Sequence, residues 1–291
     1  MSRPPTFTPP PGTRAHALAT ARGNFAVLEA PPAAPLKGTA LLLPGFTGSK
    51  EDFIAMLPPL AAAGYRVIAV DGRGQYESTG PDRQEAYAQK ELAHDVLAQT
   101  AALGGPVHLL GHSLGGQLAR AAVLLDPGPF RSLTLMSSGP ARVTEAQCRK
   151  VQLLSDALAV MDMGQVWEAM RAMDAPQDAE EADGLTEDDR RAPDEDALRT
   201  RWLKHNPAQL LATGRQLTVE PDRVDELAAL PLPKHVVSGE RDDAWPVPQL
   251  DAMAVRLGAR RTVIEGAEHS PNTDRPVRTA EALAAFWDAQ S

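Results

Sequence analysis

Short apolar runs alternate with helical patterns along most of this chain, and that alternation restricts its fold more than any other feature. Residues 39–43, 66–70, 107–110 and 132–136 read as strands. Between them, 50–63, 85–103 and 114–125 carry helical patterns, with Leu92, Val96 and Leu103 on one face of the second and Leu114, Leu118, Ala121 and Leu125 on one face of the third. Strands that are apolar on both faces, with helices between them, require a mostly parallel central sheet flanked by helices, an α/β architecture. Two more strands, 14–20 and 25–29, precede this region, with Arg22-Gly23-Asn24 as their turn. The alternation stops at about 141 and resumes at about 225 with strand 235–238, helix 248–257, strand 262–265 and helix 277–289. The expected organisation is therefore a flexible arm over 1–12, rich in proline, a core over 13–140 and 225–291, and an inserted helical cap over 141–224.

Composition narrows the classes of function. The net charge is −9, and the window 174–196 alone supplies it, with eleven acids against Arg190 and Arg191. The rest of the chain balances and shows no basic block suited to a phosphate backbone, so nucleic acid is not an expected partner. The acidic window reads as a solvated, mobile surface. Cys148 is the single cysteine, which excludes a disulfide scaffold and fits a reducing compartment. The first residues lack the apolar core of a signal peptide, and no run reaches the ~18 apolar residues of a membrane span. A cytoplasmic location and no membrane span are expected, with the oligomeric state left open.

The segment Gly111-His112-Ser113-Leu114-Gly115-Gly116 lies between a strand and a helix. Serine at 113 breaks a dinucleotide-binding fingerprint, whereas G-x-S-x-G at a strand-to-helix turn matches a nucleophile elbow. Two flanking glycines let the chain turn sharply, and the helix N-terminus favours developing negative charge. No H-E-x-x-H, paired-cysteine or phosphate-loop spacing is present, so a zinc site and a nucleotide loop are not expected. His108 and His112 are four apart but straddle a strand and a turn; His16 and His94 read as structural or exposed.

From about Leu36 onward the chain resembles the α/β-hydrolase superfamily, in its serine esterase and lipase-like branch with a helical cap. Gly239-Glu240-Arg241-Asp242-Asp243-Ala244-Trp245-Pro246 is similar to the family's G-x-x-D-x-x-x-P loop, which implies Asp242 as the acid, with Asp243 and Glu240 as the neighbours most easily confused with it. Gly266-Ala267-Glu268-His269 resembles its G-x-x-H loop, which implies His269 as general base. Pro44-Gly45-Phe46-Thr47-Gly48 stands where the family carries H-G-x-x-G, with proline in place of histidine. By position the oxyanion donors are the backbone amides of Phe46 and Leu114. Met161, Trp167, Met170 and Trp245 are candidate pocket residues.

The resemblance implies a serine hydrolase that cleaves small carboxylic esters through an acyl-enzyme, with no metal or organic cofactor. Serine instead of aspartate at 113 disfavours dehalogenase and epoxide-hydrolase chemistry. C–C bond hydrolysis, thioester cleavage, peptide cleavage and acyl transfer use the same triad and stay open. A non-catalytic ligand-binding member is the alternative of another class. Replacing 145–205 by a short linker is expected to leave the triad assembled but broaden or weaken substrate preference.

Overall fold

Eight strands form one sheet in the computed structural model, which describes residues 2–182 and 194–290. They are β1 (Arg14–Thr20), β2 (Gly23–Ala30), β3 (Gly38–Leu43), β4 (Tyr65–Val70), β5 (Val107–His112), β6 (Phe130–Met136), β7 (Lys234–Gly239) and β8 (Arg260–Ile264). Across the sheet the order is β1-β2-β4-β3-β5-β6-β7-β8. β1 with β2 and β2 with β4 pair antiparallel; every pairing from β4 to β8 is parallel.

Alternation along the strands explains why they are apolar on both sides. In β3, Leu41 and Leu43 join one hydrophobic cluster while Ala40 and Leu42 join the cluster on the opposite face. Helices cover both faces: α1 (Leu57–Ala62), α2 (Gln89–Ala102) and α3 (Leu114–Leu125) from the first half of the chain, and α9 (Val247–Leu257), α10 (Pro271–Asp274) and α11 (Pro276–Asp288) from the end. Between β6 and β7 lie α4 (Glu145–Val160), α5 (Met163–Ala182), α6 (Glu195–Lys204), α7 (Pro207–Val219) and α8 (Val224–Ala228). Thr144, Asp194 and Asn206 accept N–H bonds that cap α4, α6 and α7.

These inserted helices have a core of their own. Val166, Trp167, Leu198, Trp202 and Leu210 are buried together, with Leu154, Leu158, Met163 and Met170 packed against them. Of the acidic window, 174–193 lies outside the residues whose side chains are described. No described helix is long and apolar enough to cross a membrane.

Two expected helices are broken. Residues 50–56 form a 3-10 turn before α1, because Pro58 and Pro59 lack the N–H groups that would continue an α-helix through them. Residues 84–87 form a second 3-10 turn, and Ala88 is extended (ψ 141) before α2 begins. Here a tertiary contact competes with helical propensity: the Tyr87 carbonyl accepts from Gln216 of α7, and the Tyr87 hydroxyl donates to the Pro81 carbonyl. The arm over 2–12 forms no helix or strand, yet it is tied down. The Ser2 carbonyl accepts from Arg201 at 2.6 Å, and Phe7 meets Tyr76 edge-on at 6.3 Å.

Candidate active site

Ser113 follows directly on β5 with φ 54 and ψ −118, a backbone conformation that a non-glycine residue adopts only under tertiary constraint. The constraint is visible on both sides. The Ser113 N–H donates to the Met136 carbonyl at 2.9 Å, and its own carbonyl accepts from Gly116 at 2.9 Å. A Cβ at Gly111 would collide with the Gly115 backbone, and one at Gly115 with the carbonyls of Leu43 and Pro44. The two glycines of the motif are thus required by close backbone approach, and the approach at Gly115 brings the β3 loop against the elbow.

His269 and Asp242 reach the same place from the loops after β8 and β7. His269 Nε2 lies 3.1 Å from Ser113 Oγ, and Nδ1 lies 2.9 Å from Asp242 Oδ1. That carboxylate oxygen also accepts the N–H groups of Ala244 (2.9 Å) and Trp245 (3.0 Å). Burial pushes the Asp242 carboxyl upward, but the hydrogen bond and charge of His269, with the two amides, outweigh it and hold the group below its ordinary range. Asp243, one residue on, is exposed and pairs with Gln147 and Lys150. The structure therefore separates two acids that are adjacent in the sequence.

Leu114 opens α3, so its N–H has no acceptor within the helix. Across from it, Gly45 is close enough that a Cβ there would touch the Ser113 Cβ at 3.4 Å, which places the Gly45-Phe46 backbone beside the serine. Gln75 Nε2 donates to the Gly45 carbonyl at 2.8 Å and holds this loop from the sheet side.

The cavity over Ser113 has a volume of about 610 Å³. Its walls come from the β3 loop (Phe46, Thr47), the inserted helices (Gln147, Val151, Met173, Leu217), the arm (Ser2, Arg3) and the β8 loop (Glu268, Ser270). The expected pocket residues lie elsewhere. Met161 is exposed just past α4, while Trp167 and Met170 pack inside the insertion, whose own core competes for them. Trp245 is buried beside His269, ring centroids 6.2 Å apart, with Nε1 donating to the Ala141 carbonyl. The cavity wall is accordingly more polar than the methionine-lined pocket expected.

His112 is a residue of this site that the motif reading passed over. It is buried, and desolvation lowers its pKa to about 4, so the ring is neutral and its Nε2–H donates to the His269 carbonyl at 2.8 Å. Its position just before the serine in G-x-S-x-G was the available signal. Asp242, Asp243 and His269 place one ligand atom each within 4.8 Å of one another. A cation there would have to break the Asp242–His269 hydrogen bond, so this donor set is already committed.

Comparison with known proteins agrees with the architecture. Residues 40–282 match the model of the alpha/beta hydrolase family. The chain belongs to the alpha/beta hydrolase family. Within it, a pimeloyl-[acyl-carrier protein] methyl ester esterase of Aeromonas hydrophila is 30% identical over 254 residues, covering 84% of this chain and 94% of that protein. Epoxide hydrolase B of Mycobacterium tuberculosis is 35% identical over 120 residues, 40% of this chain and 33% of that protein. A solved thermophilic esterase from Thermogutta terrifontis superposes with a TM-score of 0.74 at 22% identity, covering 95% of this chain and 99% of that one. As a member of this family the chain is a hydrolase by descent, and its relatives include both ester and epoxide hydrolases.

Proposed function

We propose that this hydrolase cleaves carboxylic esters through an acyl-enzyme formed on Ser113. The observation that carries the reading is the unbroken row Ser113 Oγ, His269 Nε2, His269 Nδ1, Asp242 Oδ1, with spacings of 3.1 and 2.9 Å. His269 accepts the Ser113 proton as the oxygen attacks the acyl carbon, and Asp242 fixes the tautomer and stabilises the imidazolium. The amides of Phe46 and Leu114 receive the developing oxyanion, each donor being worth about 3 kcal/mol. Protonated His269 then serves the leaving alcohol, and water releases the acid. The methyl ester esterase relative, aligned over most of both chains, supports an ester substrate. Serine at 113 speaks against the alkyl-enzyme chemistry of the epoxide hydrolase relatives, since that route needs a carboxylate nucleophile.

A fluorophosphonate probe should label Ser113 covalently, and a panel of methyl and p-nitrophenyl esters of increasing acyl length should be turned over. Ser113→Ala should lose both, with kcat falling on the order of 10³–10⁶-fold and the fold unchanged by circular dichroism. Near-wild-type hydrolysis by the alanine variant would remove the serine from the mechanism.

A further inference from the structure

We infer that Arg201, on inserted helix α6, is a positioning residue for the loop that carries the proposed oxyanion donor Phe46; the inference rests on the ester-hydrolase reading above. The Arg201 and Asp52 side chains form an ion pair at 2.7 Å with both groups wholly excluded from solvent. A desolvated pair of this kind adds little net stability, because the cost of leaving water offsets the attraction, but it fixes geometry tightly. Its second arm spans further: Arg201 Nη2 donates to the Ser2 carbonyl at 2.6 Å, and Ser2 lines the cavity over Ser113. One guanidinium thus joins the inserted helix, the arm and the chain just past the β3 loop.

Asp52 transmits this hold to the loop. Its carboxylate lies against Gly48, where a Cβ would collide with Oδ2, and the same oxygen is 3.4 Å from the Ser49 N–H. One turn after Arg201, the neutral His205 ring has Nδ1 2.9 Å from the Arg201 carbonyl and Nε2 3.2 Å from the Gly48 carbonyl, and its single N–H donates to one of the two. The Phe46 ring is gripped as well. It rests against α7 at Gly214, where a Cβ would come within 3.1 Å of both the Phe46 ring and Val151. Phe46, Gly48 and Asp52 are therefore each held by the inserted helices, and the loop they bracket supplies one of the two amides proposed to face the oxyanion.

A displacement of about 1 Å in such a donor costs about 10²-fold in rate. Arg201→Lys keeps the charge but cannot reach both Asp52 and the Ser2 carbonyl. It should lower kcat on an oxyester about 10²-fold with KM within about twofold. A matched thionoester, whose sulfur is a poorer acceptor and draws less on the hole, should lose much less. His205→Gln should show the same ordering more weakly. Hydrogen exchange of peptides spanning 44–50 should speed up in Arg201→Lys relative to the wild type. If Arg201→Lys fails to fold, Asp52→Asn and His205→Gln carry the same readouts.

Equal losses on the two esters, a rise in KM alone, or unchanged exchange in a folded variant would overturn the inference. A wild-type protein that neither hydrolyses esters nor reacts with the fluorophosphonate would overturn the ester-hydrolase reading instead. The exchange measurement, which needs no turnover, then still decides whether Arg201 holds the loop.

Discussion

At the scale of single residues, the acid loop shows how burial assigns roles. Asp242 and Asp243 have the same chemistry and differ in surroundings: the first is enclosed with His269 and two backbone amides, the second faces solvent beside Gln147 and Lys150. Asp242→Asn should lower kcat on the order of 10⁴-fold, because the amide presents the wrong partner to His269 Nδ1 and favours the wrong tautomer. Asp243→Asn should change kcat only a few-fold. Steady-state kinetics on one p-nitrophenyl ester checks both, and the reverse ranking would put the acid at 243. His112 acts at this scale too, since its Nε2–H anchors the His269 backbone and leaves the imidazole free to face Ser113.

At the scale of elements, the elbow is a junction of β3, β5 and α3 that exists only while the backbones stay in contact. Gly115→Ala should force the β3 loop away from α3, since its Cβ would run into the carbonyls of Leu43 and Pro44, which cannot rotate aside. We expect a stability loss of about 1–3 kcal/mol, the range for overpacked sites, together with loss of ester turnover. Gly105→Ala, whose Cβ would meet nothing within 4 Å, is the control and should leave both close to wild type. Urea denaturation with parallel activity assays separates them. A Gly115→Ala protein as stable as Gly105→Ala would mean that the loop and helix are not in contact. The broken helices make a related point: proline at 58 and 59 ended one pattern locally, while the bend at Ala88 follows from a carbonyl claimed by α7.

For the whole molecule, the buried histidines set how the fold responds to acid. His108, His112 and His205 are shifted by burial from 6.5 to about 4, and His235 to about 3. The unfolded chain takes up these protons as pH drops below about 6.5, and the folded chain does not until about pH 4. Their contribution is therefore full above pH 6.5 and is lost as pH falls toward 4, by at most about 1.4 kcal/mol per pH unit for each proton. Asp71, whose carboxyl burial raises against the opposing charge of Lys50, works in the opposite direction. The urea midpoint should fall between pH 7 and pH 5, and His235→Gln should flatten that slope by about one proton. A midpoint independent of pH in this window would show that unfolding takes up no net protons there and would overturn this account. On the inferred role of Arg201, the insertion does more than a lid alone would do. Replacing 145–205 would remove Arg201 and His205 and leave the Asp52 carboxylate without its counter-ion, so loss of turnover, and not only altered preference, is now the expected result.

The sequence by itself determined the alternation of strands and helices and the sharp strand-to-helix turn at Ser113, while the candidate acid and histidine were implied only by the resemblance to the family's loops. Those features are local: strand alternation, helical periodicity and glycines required by a sharp turn are all written within a few consecutive residues. Tertiary structure alone decided which residues wall the cavity, and that Trp167 and Met170 pack inward while Val151 and Met173 line the site. It also decided the tie from Arg201 to Asp52, a contact between residues 149 apart in the chain. Such a pairing has no period and no motif, because it depends on where two elements dock after each has formed. An arginine on a charged helix reads in sequence as a solvated face, and only the fold takes it out of water.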